Sequence, residues 1–159
     1  LTTAPALPAT TLTDSCYWRM FEGCTSLTTA PALPATTLAT NCYFSMFEGC
    51  TSLTTAPALP ATTLADYCYR YMFRGCSSLT TAPTTLPATT LAYGCYSHMF
   101  NGCTKLSTIK CLATDISATI ALLSWTKDVA SSGTFYKAAG VKWPTGTSGI
   151  PSGWTVVEV

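Results

Sequence analysis

One motif recurs four times in this chain at a nearly constant spacing, and it constrains the fold more than any other feature. The copies begin at Cys16, Cys42, Cys68 and Cys95, and the third reads CYRYMFRGCSSLTTAP. The LTTAP segments, with LSTIK as the last, start at residues 1, 27, 53, 79 and 106, so the period is 26 residues and once 27. Periods of ~20 to 50 residues are typical of proteins that stack one structural unit per repeat. The sequence therefore predicts a repeat protein.

Each unit has the residue pattern of one short strand followed by one short helix. LTTAP can form a strand, and Pro60 in the third unit ends it because proline has no N–H for a ladder. Leu64, Cys68 and Met72 lie four residues apart, a spacing that indicates the apolar face of a helix. Gly75 stands where helices commonly end in a left-handed residue. The equivalent glycines are Gly23, Gly49 and Gly102.

These units predict an α/β fold, a right-handed leucine-rich-repeat solenoid with one short parallel strand and one short helix per 26-residue repeat. We expect the repeats to fill residues 1–110, as about four full units and a final strand, within a single domain. Because the chain starts inside a unit, we expect it to be a fragment of a longer array.

Residues 111–159 are expected to form a C-terminal cap, since the last unit of an array otherwise exposes an apolar face. Within the cap, a helix is predicted to begin near Thr114 or Asp115, with apolar residues on one side. GTFYK (133–137) and the closing GWTVVEV are predicted to be strands, and residues 140–152 a loop.

Eight of the nine cysteines follow the repeat, as one series from Cys16 and a second from Cys24. Cysteines placed by a period favour small buried core positions, because free cysteine is among the most buried residue types. Stacked units would also bring equivalent cysteines within disulfide range. Zinc is a third alternative, although its cysteine pairs are usually two to four residues apart.

The pattern GCTSLTTAPALPATTLA, preceded by YxxMF, resembles the BspA-like leucine-rich repeats of bacterial surface proteins. The closing WTKDVASSGTFYK and SGIPSGWTV are similar to the terminal segment of such arrays, so the likeness covers essentially the whole chain. The resemblance implies a secreted or cell-surface protein that adheres to host or bacterial partners, with an extracellular location and no catalytic residues. One departure is that the strands offer Leu, Ala and Thr in place of several large aliphatic residues.

Charge and hydrophobicity exclude two classes of partner. Only 9% of the residues are charged, the net charge is +1, and Lys and Arg form no cluster. Nucleic acids and anionic membranes need clustered positive charge, so we expect neither as a partner. Thr and Ser interrupt every apolar stretch before the ~18 residues that a membrane span needs. We also expect a monomer.

The residues do not predict an enzyme. Catalysis needs a nucleophile, a base and an orienting group in one place. His98 is the only histidine and lies at a position that varies between units, and the carboxylates are spread singly. The glycines mark the ends of the predicted helices and form no phosphate loop. We therefore expect no catalytic residues, no cofactor and no metal site.

The candidate binding site is the outward face of the strands. If Leu79 and Ala82 point inward, Thr81 and Pro83 point outward. The equivalent positions complete the candidate set of Thr3, Thr29, Pro31, Thr55, Pro57, Thr81, Pro83, Thr108 and Lys110. The plain alternative is that threonine only satisfies β preference and cross-strand packing. Ranked threonines also occur on ice-binding proteins, which need two outward columns on a flat face.

The sequence thus predicts a non-catalytic recognition module that adheres through protein–protein contacts on the sheet face. A glycan ligand is the alternative, and it would use exposed rings such as Trp18, Phe44 and Tyr71 on the convex side. A structural stalk that presents another domain is the third possibility.

Overall fold

A computed structural model describes the whole chain, Leu1–Val159, and contains no helix. Its regular strands are β1, Thr108–Cys111, β2, Thr134–Lys137, and β3, Thr155–Glu158. They form one parallel sheet in the order β1-β2-β3, in which Phe135 of β2 lies between Ile109 and Val156. The strands predicted at GTFYK and GWTVVEV are therefore confirmed.

Residues 1–128 form five coils that lie side by side, the last of which contains β1, and we number them by residue. Coil 1 is residues 1–26, coil 2 is 27–52, coil 3 is 53–78, coil 4 is 79–105 and coil 5 is 106–128. Neighbouring coils are joined by isolated parallel bridges, such as Thr3 to Thr29 and Thr37 to Thr63. Residues 111–128 of coil 5 lie in the segment predicted as the cap, where they repeat the arrangement of the earlier coils.

One arm of each coil is a run of consecutive tight turns, which we call the turn run. The turn runs are residues 13–24, 39–50, 65–76, 92–103 and 118–128. Within a run, alternate N–H groups donate to the carbonyl three residues back, as Cys68 does to Ala65 at 3.2 Å. The intervening N–H groups donate to the next coil, as Tyr69 does to the Cys95 carbonyl at 3.0 Å. Neighbouring coils are thus joined by main-chain hydrogen bonds.

Every fourth residue of a turn run has a positive φ. In coil 3 these residues are Tyr67 at 56°, Tyr71 at 58° and Gly75 at 72°. An α-helix requires negative φ at each residue and N–H donation four residues back. Neither condition holds here. The left-handed conformation expected at the glycines is confirmed, but each glycine ends a run of turns.

In coils 1 to 4 the core is built from columns of identical side chains, one from each coil. The rings of Tyr43 and Tyr69 stack at 5.8 Å between centroids, and those of Phe47 and Phe73 at 5.6 Å. Cys, Met, Tyr and Phe of the turn runs are almost fully buried in coils 2 to 4. A four-residue turn places two neighbours inward and two outward at each step, so this pattern of apolar residues fits turns as well as helices.

The cysteines are free thiols that help to join the coils. Cys50, Cys76 and Cys103 each place Sγ 3.1 Å from a phenylalanine carbonyl of the preceding coil, to which the thiol donates. Each of these carbonyls also accepts the N–H of the cysteine three residues further along its own coil, so the weak S–H donor adds a second hydrogen bond to it. Of the three alternatives drawn from the sequence, the structure has the buried thiol at seven cysteines, whereas Cys16 is exposed and Cys24 half-buried.

The end of coil 5 is covered by residues 143–151. Trp125 is fully buried, stacks on Trp143 at 5.8 Å and donates from Nε1 to the Gly149 carbonyl at 2.9 Å. The N–H of Thr126 donates to the Thr147 carbonyl, and the N–H of Ser124 to the Ser148 hydroxyl. These contacts satisfy main-chain donors that a further coil would otherwise take.

The predicted α/β leucine-rich-repeat solenoid is wrong, because no coil contains a helix and only the three strands named above are regular. The helix predicted from Thr114 or Asp115 is wrong as well, since Ile120, Ser124 and Asp128 have positive φ. Adhesion, secretion and a cell-surface location were expected only from the likeness to leucine-rich repeats. The absence of helices removes that support. No helix is present that could cross a membrane.

Candidate functional site

Pairs of adjacent threonines follow each leucine that opens a coil, and together they form what we call the threonine face. Its members are Thr2, Thr3, Thr28, Thr29, Thr54, Thr55, Thr80 and Thr81, continued by Thr108 of coil 5, and all are exposed. The hydroxyls of Thr28 and Thr80 donate to the carbonyls of Thr2 and Thr54, each at 3.2 Å. The four threonines predicted as Thr3, Thr29, Thr55 and Thr81 therefore lie in one exposed column.

The coils pair alternately along this face. The N–H groups of Thr28 and Thr29 donate to the Thr2 carbonyl, joining coils 1 and 2. Those of Thr80 and Thr81 donate in the same way to Thr54, joining coils 3 and 4. No such bond joins coils 2 and 3 at this face. They are joined instead on the other side of the coils, where the second TT pairs lie.

A groove of about 290 Å³ opens at the unpaired junction of coils 2 and 3, and we call it groove A. It is lined by Thr28, Thr29, Ala30, Thr54, Thr55, Ala56 and Pro57. The N–H groups of Ala30, Thr54 and Thr55 have no hydrogen-bond partner in the protein, and neither does the Thr28 carbonyl. At the junction of coils 1 and 2 the equivalent groups are bonded to each other. Groove A therefore presents main-chain donors and an acceptor together.

The same junction continues into a proline-lined hollow. This second space, about 270 Å³, is bordered by Pro31, Pro34, Pro57 and Pro60 together with the alanines between them. Pro31 is itself buried and Pro57 half-buried, so the prolines form walls more than an outward surface. The expectation that the prolines point outward beside the threonines is therefore wrong for Pro31 and also for Pro83, which is buried.

Groove B lies between coils 4 and 5 and has a volume of about 370 Å³. Its walls are Thr80, Thr81, Ala82, Pro83, Thr84, Thr108 and Lys110. Lys110 is the one charged residue among those that line grooves A and B. Thus the candidate residues other than Thr3 border one of the hollows between coils. The grooves interrupt the face, which disfavours the flat array that an ice-binding surface needs.

A column of rings lies on the outer side of the turn runs. Trp18, Phe44, Tyr71 and His98 follow one another with ring centroids 6.3, 5.5 and 4.9 Å apart. The Arg70 guanidinium lies 4.8 Å from the Tyr71 ring centroid, a cation–π distance. Trp18 is 52% exposed, whereas the other members are partly covered. This is the aromatic surface that a glycan would use.

His98 shows no arrangement for catalysis. Its Nδ1 lies 2.9 Å from the Ser97 hydroxyl, but no carboxylate orients the ring. Partial burial lowers the pKa of His98, and the positive charges of Arg70 and Arg74 lower it further. The interior thiols are not poised as nucleophiles either, because burial raises the pKa of Cys42 and Cys50 to about 12. No group of His, Cys, Asp and Glu has the geometry to hold a metal ion.

The alternation of paired and open junctions was not anticipated from the sequence. Coils 1 to 3 carry the same LTTAPALPATTL segment, so no residue of that segment distinguishes the closed junction of coils 1 and 2 from groove A. The second TT pair of each coil was a signal that could have been used. It showed that two sides of each coil offer equivalent pairing sites.

The geometry defines a class of protein, a stack of turn-built coils with one polar face and one aromatic column. No protein family model matches the chain, and neither does any curated protein or solved structure. None of these comparisons identifies the chain as a BspA-like protein.

Proposed function

We propose that this chain is a non-catalytic recognition module that binds an extended segment of a partner protein in groove A. The observation that supports this most directly is the set of unpaired main-chain groups of Ala30, Thr54, Thr55 and Thr28 in an open groove. Main-chain hydrogen bonds to an added segment are a common basis of affinity in peptide recognition. At the closed junctions the equivalent groups are bonded to the main chain of the neighbouring coil. The main chain of a bound segment is therefore a suitable partner for the unpaired groups of groove A.

The lining of groove A indicates the kind of segment. Ala30, Ala56 and Pro57 offer apolar contact, the threonine hydroxyls offer hydrogen bonds, and no charged residue lines the groove. An uncharged segment with small side chains fits this surface best, because a charge would be desolvated there without a partner. Groove B would extend the interaction to a segment with an acidic residue opposite Lys110.

The test is selection from a random peptide library displayed on phage, with the whole chain as the target. Selected peptides are then titrated against a Thr29→Arg, Thr55→Arg, Thr81→Arg variant. Arginine at these positions places long charged side chains across the grooves, and we expect binding to weaken at least tenfold, that is by ~1.4 kcal/mol or more. Thr11→Arg, Thr37→Arg, Thr63→Arg is the matched control, because it changes equally exposed threonines on the other side.

Equal loss in both triple variants would show a general effect of added charge and contradict the proposal. If the selected peptides bind both triple variants as tightly as the original chain, the binding site lies away from the threonine face. If the library yields no binder at all, the module is better described as a spacer that presents another domain.

A glycan is the second candidate, supported by the aromatic column. Sugar rings stack on exposed aromatic faces. Trp18 offers such a face at the outer side of the turn runs, and the partly covered ring of Tyr71 lies on the same side. A glycan panel probed with the original chain and with Tyr71→Ala separates this candidate from the first, because Tyr71 does not border either groove. Loss of glycan binding in Tyr71→Ala with retained peptide binding would assign two separate sites.

A further inference from the structure

Groove B is closed at one end by main-chain hydrogen bonds between coils 4 and 5. The Leu86 N–H donates to the Lys110 carbonyl at 2.9 Å, and the Leu112 N–H donates to the Leu86 carbonyl at 3.0 Å. Leu112 stands where coil 3 has Pro60, which has no N–H to donate. Groove B therefore ends beside Lys110, whereas groove A continues into the proline-lined hollow.

The walls of groove B carry main-chain groups without a partner. β2 takes the main chain of alternate residues of β1, beginning with the Ser107 carbonyl, so the main chain of Thr108 is directed to coil 4. The N–H groups of Ala82 and Thr108 have no hydrogen-bond partner in the protein, and neither does the Thr80 carbonyl. Groove B thus offers a main-chain donor on each wall and an acceptor on the wall of coil 4.

Lys110 places a positive charge at the closed end of the groove. Its side chain is half-buried and lies on the outward side of β1, since Ile109 and Cys111 on either side of it are buried. None of the ion pairs of the protein includes Lys110, and no carboxylate lines groove B. An ammonium in this position favours an anionic ligand, because charge-assisted hydrogen bonds are stronger than neutral ones.

The closed end and the charge together set the direction of a bound segment. An extended segment between the two walls cannot run past the closing hydrogen bonds, so its last residue lies beside Lys110. An N-terminal ammonium there would be repelled by Lys110, whereas a C-terminal carboxylate is attracted to it. The segment then runs parallel to β1, as neighbouring coils run parallel to each other.

We propose that groove B binds the free C-terminal end of a partner segment, with the terminal carboxylate at Lys110. Capture of a C-terminal carboxylate beside main-chain donors is one of the recurring modes of peptide recognition. Lys110 is the one charged residue of the lining, so the side chains that precede the carboxylate are uncharged. This inference rests on the proposed function, because it uses the same kind of unpaired main-chain groups, but it assigns groove B a ligand of its own.

The test uses a pool of short N-acetylated peptides randomised over uncharged residues. The pool is made in two forms, one with a free C-terminal carboxylate and one with a C-terminal amide, so the forms differ in that charge alone. Peptides retained by the whole chain are identified by mass spectrometry and titrated by calorimetry in both forms. Lys110→Gln removes the charge and Lys110→Arg keeps it. Lys105→Gln is the matched control, because Lys105 is exposed and does not line groove B.

We expect the free acids to bind at least ~10-fold more tightly than the matching amides, because the carboxylate adds charge-assisted hydrogen bonds. Lys110→Gln should abolish this difference, whereas Lys110→Arg and Lys105→Gln should retain it. The proposal is overturned if no free acid binds, if acids and amides bind equally, or if the difference survives in Lys110→Gln. Amidated peptides with a last residue of glutamate that bind as tightly as the free acids would overturn the assignment to a chain terminus.

The outcome is separable from that of the proposed function. Peptides displayed at the N-terminus of a phage coat protein have no free C-terminus, so they cannot fill the closed end of groove B and report on groove A. Phage binders without free-acid binders would contradict the assignment of groove B alone. Free-acid binders that depend on Lys110, without phage binders, would support groove B and contradict the role of groove A.

Discussion

Coil 1 and coil 3 have the same inward-facing residues in their turn runs, yet they lie in opposite environments. Cys68, Tyr69, Met72 and Phe73 of coil 3 are almost fully buried between coils 2 and 4, whereas three of their four equivalents in coil 1 are at least partly exposed. Coil 1 has a neighbour on one side only. The difference teaches that burial in this protein is set by adjacent coils, as expected where each unit contacts only its neighbours.

The largest expected effect is alkaline unfolding through the interior thiols. Burial raises the pKa of Cys42, Cys50 and Cys103 to about 12, and the same holds for Cys95 and Cys111. The thiols of the unfolded chain titrate near pH ~8.5 to 9. Their stabilising contribution is complete below that pH and is lost as the pH rises towards 12, because the unfolded chain releases protons that the folded protein retains.

Each of these thiols should lower the free energy of unfolding by ~1.4 kcal/mol per pH unit above about 9. Five together amount to ~7 kcal/mol per unit, against a total of ~5–15 kcal/mol for a typical domain, so we expect unfolding by about pH 11. Urea titrations between pH 8 and 10, under reducing conditions, measure the slope. Cys103→Ala should reduce this slope by the contribution of one thiol. A free energy of unfolding that does not change with pH in this range contradicts the prediction.

The next largest effect is expected at the covered end of the array. Trp125 contacts the rings of Tyr96, Phe100, Phe135 and Trp143 and donates a hydrogen bond to Gly149. Trp125→Ala should lower the free energy of unfolding by ~3–5 kcal/mol, measured by urea denaturation.

Trp18→Ala is the matched change at the open end. Because Trp18 is 52% exposed, a loss within ~0.5 kcal/mol is expected. Similar losses for the two tryptophans would contradict the description of one covered and one open end.

The methionine column gives the most direct comparison between coils 1 and 3. Met72 has no exposed surface, so Met72→Ala removes buried atoms and leaves a cavity, at ~2–5 kcal/mol. Met20→Ala in coil 1 should cost less than ~1 kcal/mol, because Met20 is 46% exposed. Thermal or urea unfolding of the two variants beside the original chain checks this.

The period of the array and its last two strands could be predicted from the sequence, whereas the turn runs could not. Leu64, Cys68 and Met72 are spaced by four residues, which suits a helix over this length. A helix advances by 3.6 residues per turn, so an apolar stripe that continues to Cys76 at spacing four drifts around it. That continuation was the available signal against a helix.

The residues with positive φ are the reason that the turn runs could not be predicted from the sequence. Positive φ is uncommon outside glycine, yet Arg19, Tyr71 and His98 adopt it here. Nothing in these residue types indicates that conformation. It is stabilised by the neighbouring coil, to which their N–H groups donate, as Tyr71 does to the Ser97 carbonyl at 3.0 Å. A feature fixed by contacts 26 residues away cannot be deduced from local propensity.

The candidate site was predictable in its residues but not in its shape. The column of Thr29, Thr55 and Thr81 follows from the period alone. Groove A does not, because the closed and open junctions carry identical residues. The choice of which coils pair on which side is a property of the whole stack.

The smallest expected difference between coils 1 and 3 is at the glycines, where the two coils should respond alike. Gly23 and Gly75 have φ of 69° and 72°, and a methyl group would meet no atom within 4 Å at Gly23 and only Gly49 backbone at 3.9 Å at Gly75. Alanine at either position therefore meets no steric contact, and only the strain of a left-handed residue remains, ~1 kcal/mol. This strain is local to one residue and does not depend on whether a coil precedes it. Urea denaturation of Gly23→Ala and Gly75→Ala should thus give equal losses, in contrast to the methionine pair. A clearly larger loss for Gly75→Ala would mean that the left-handed conformation depends on the preceding coil as well as on the following coil, to which both glycines donate.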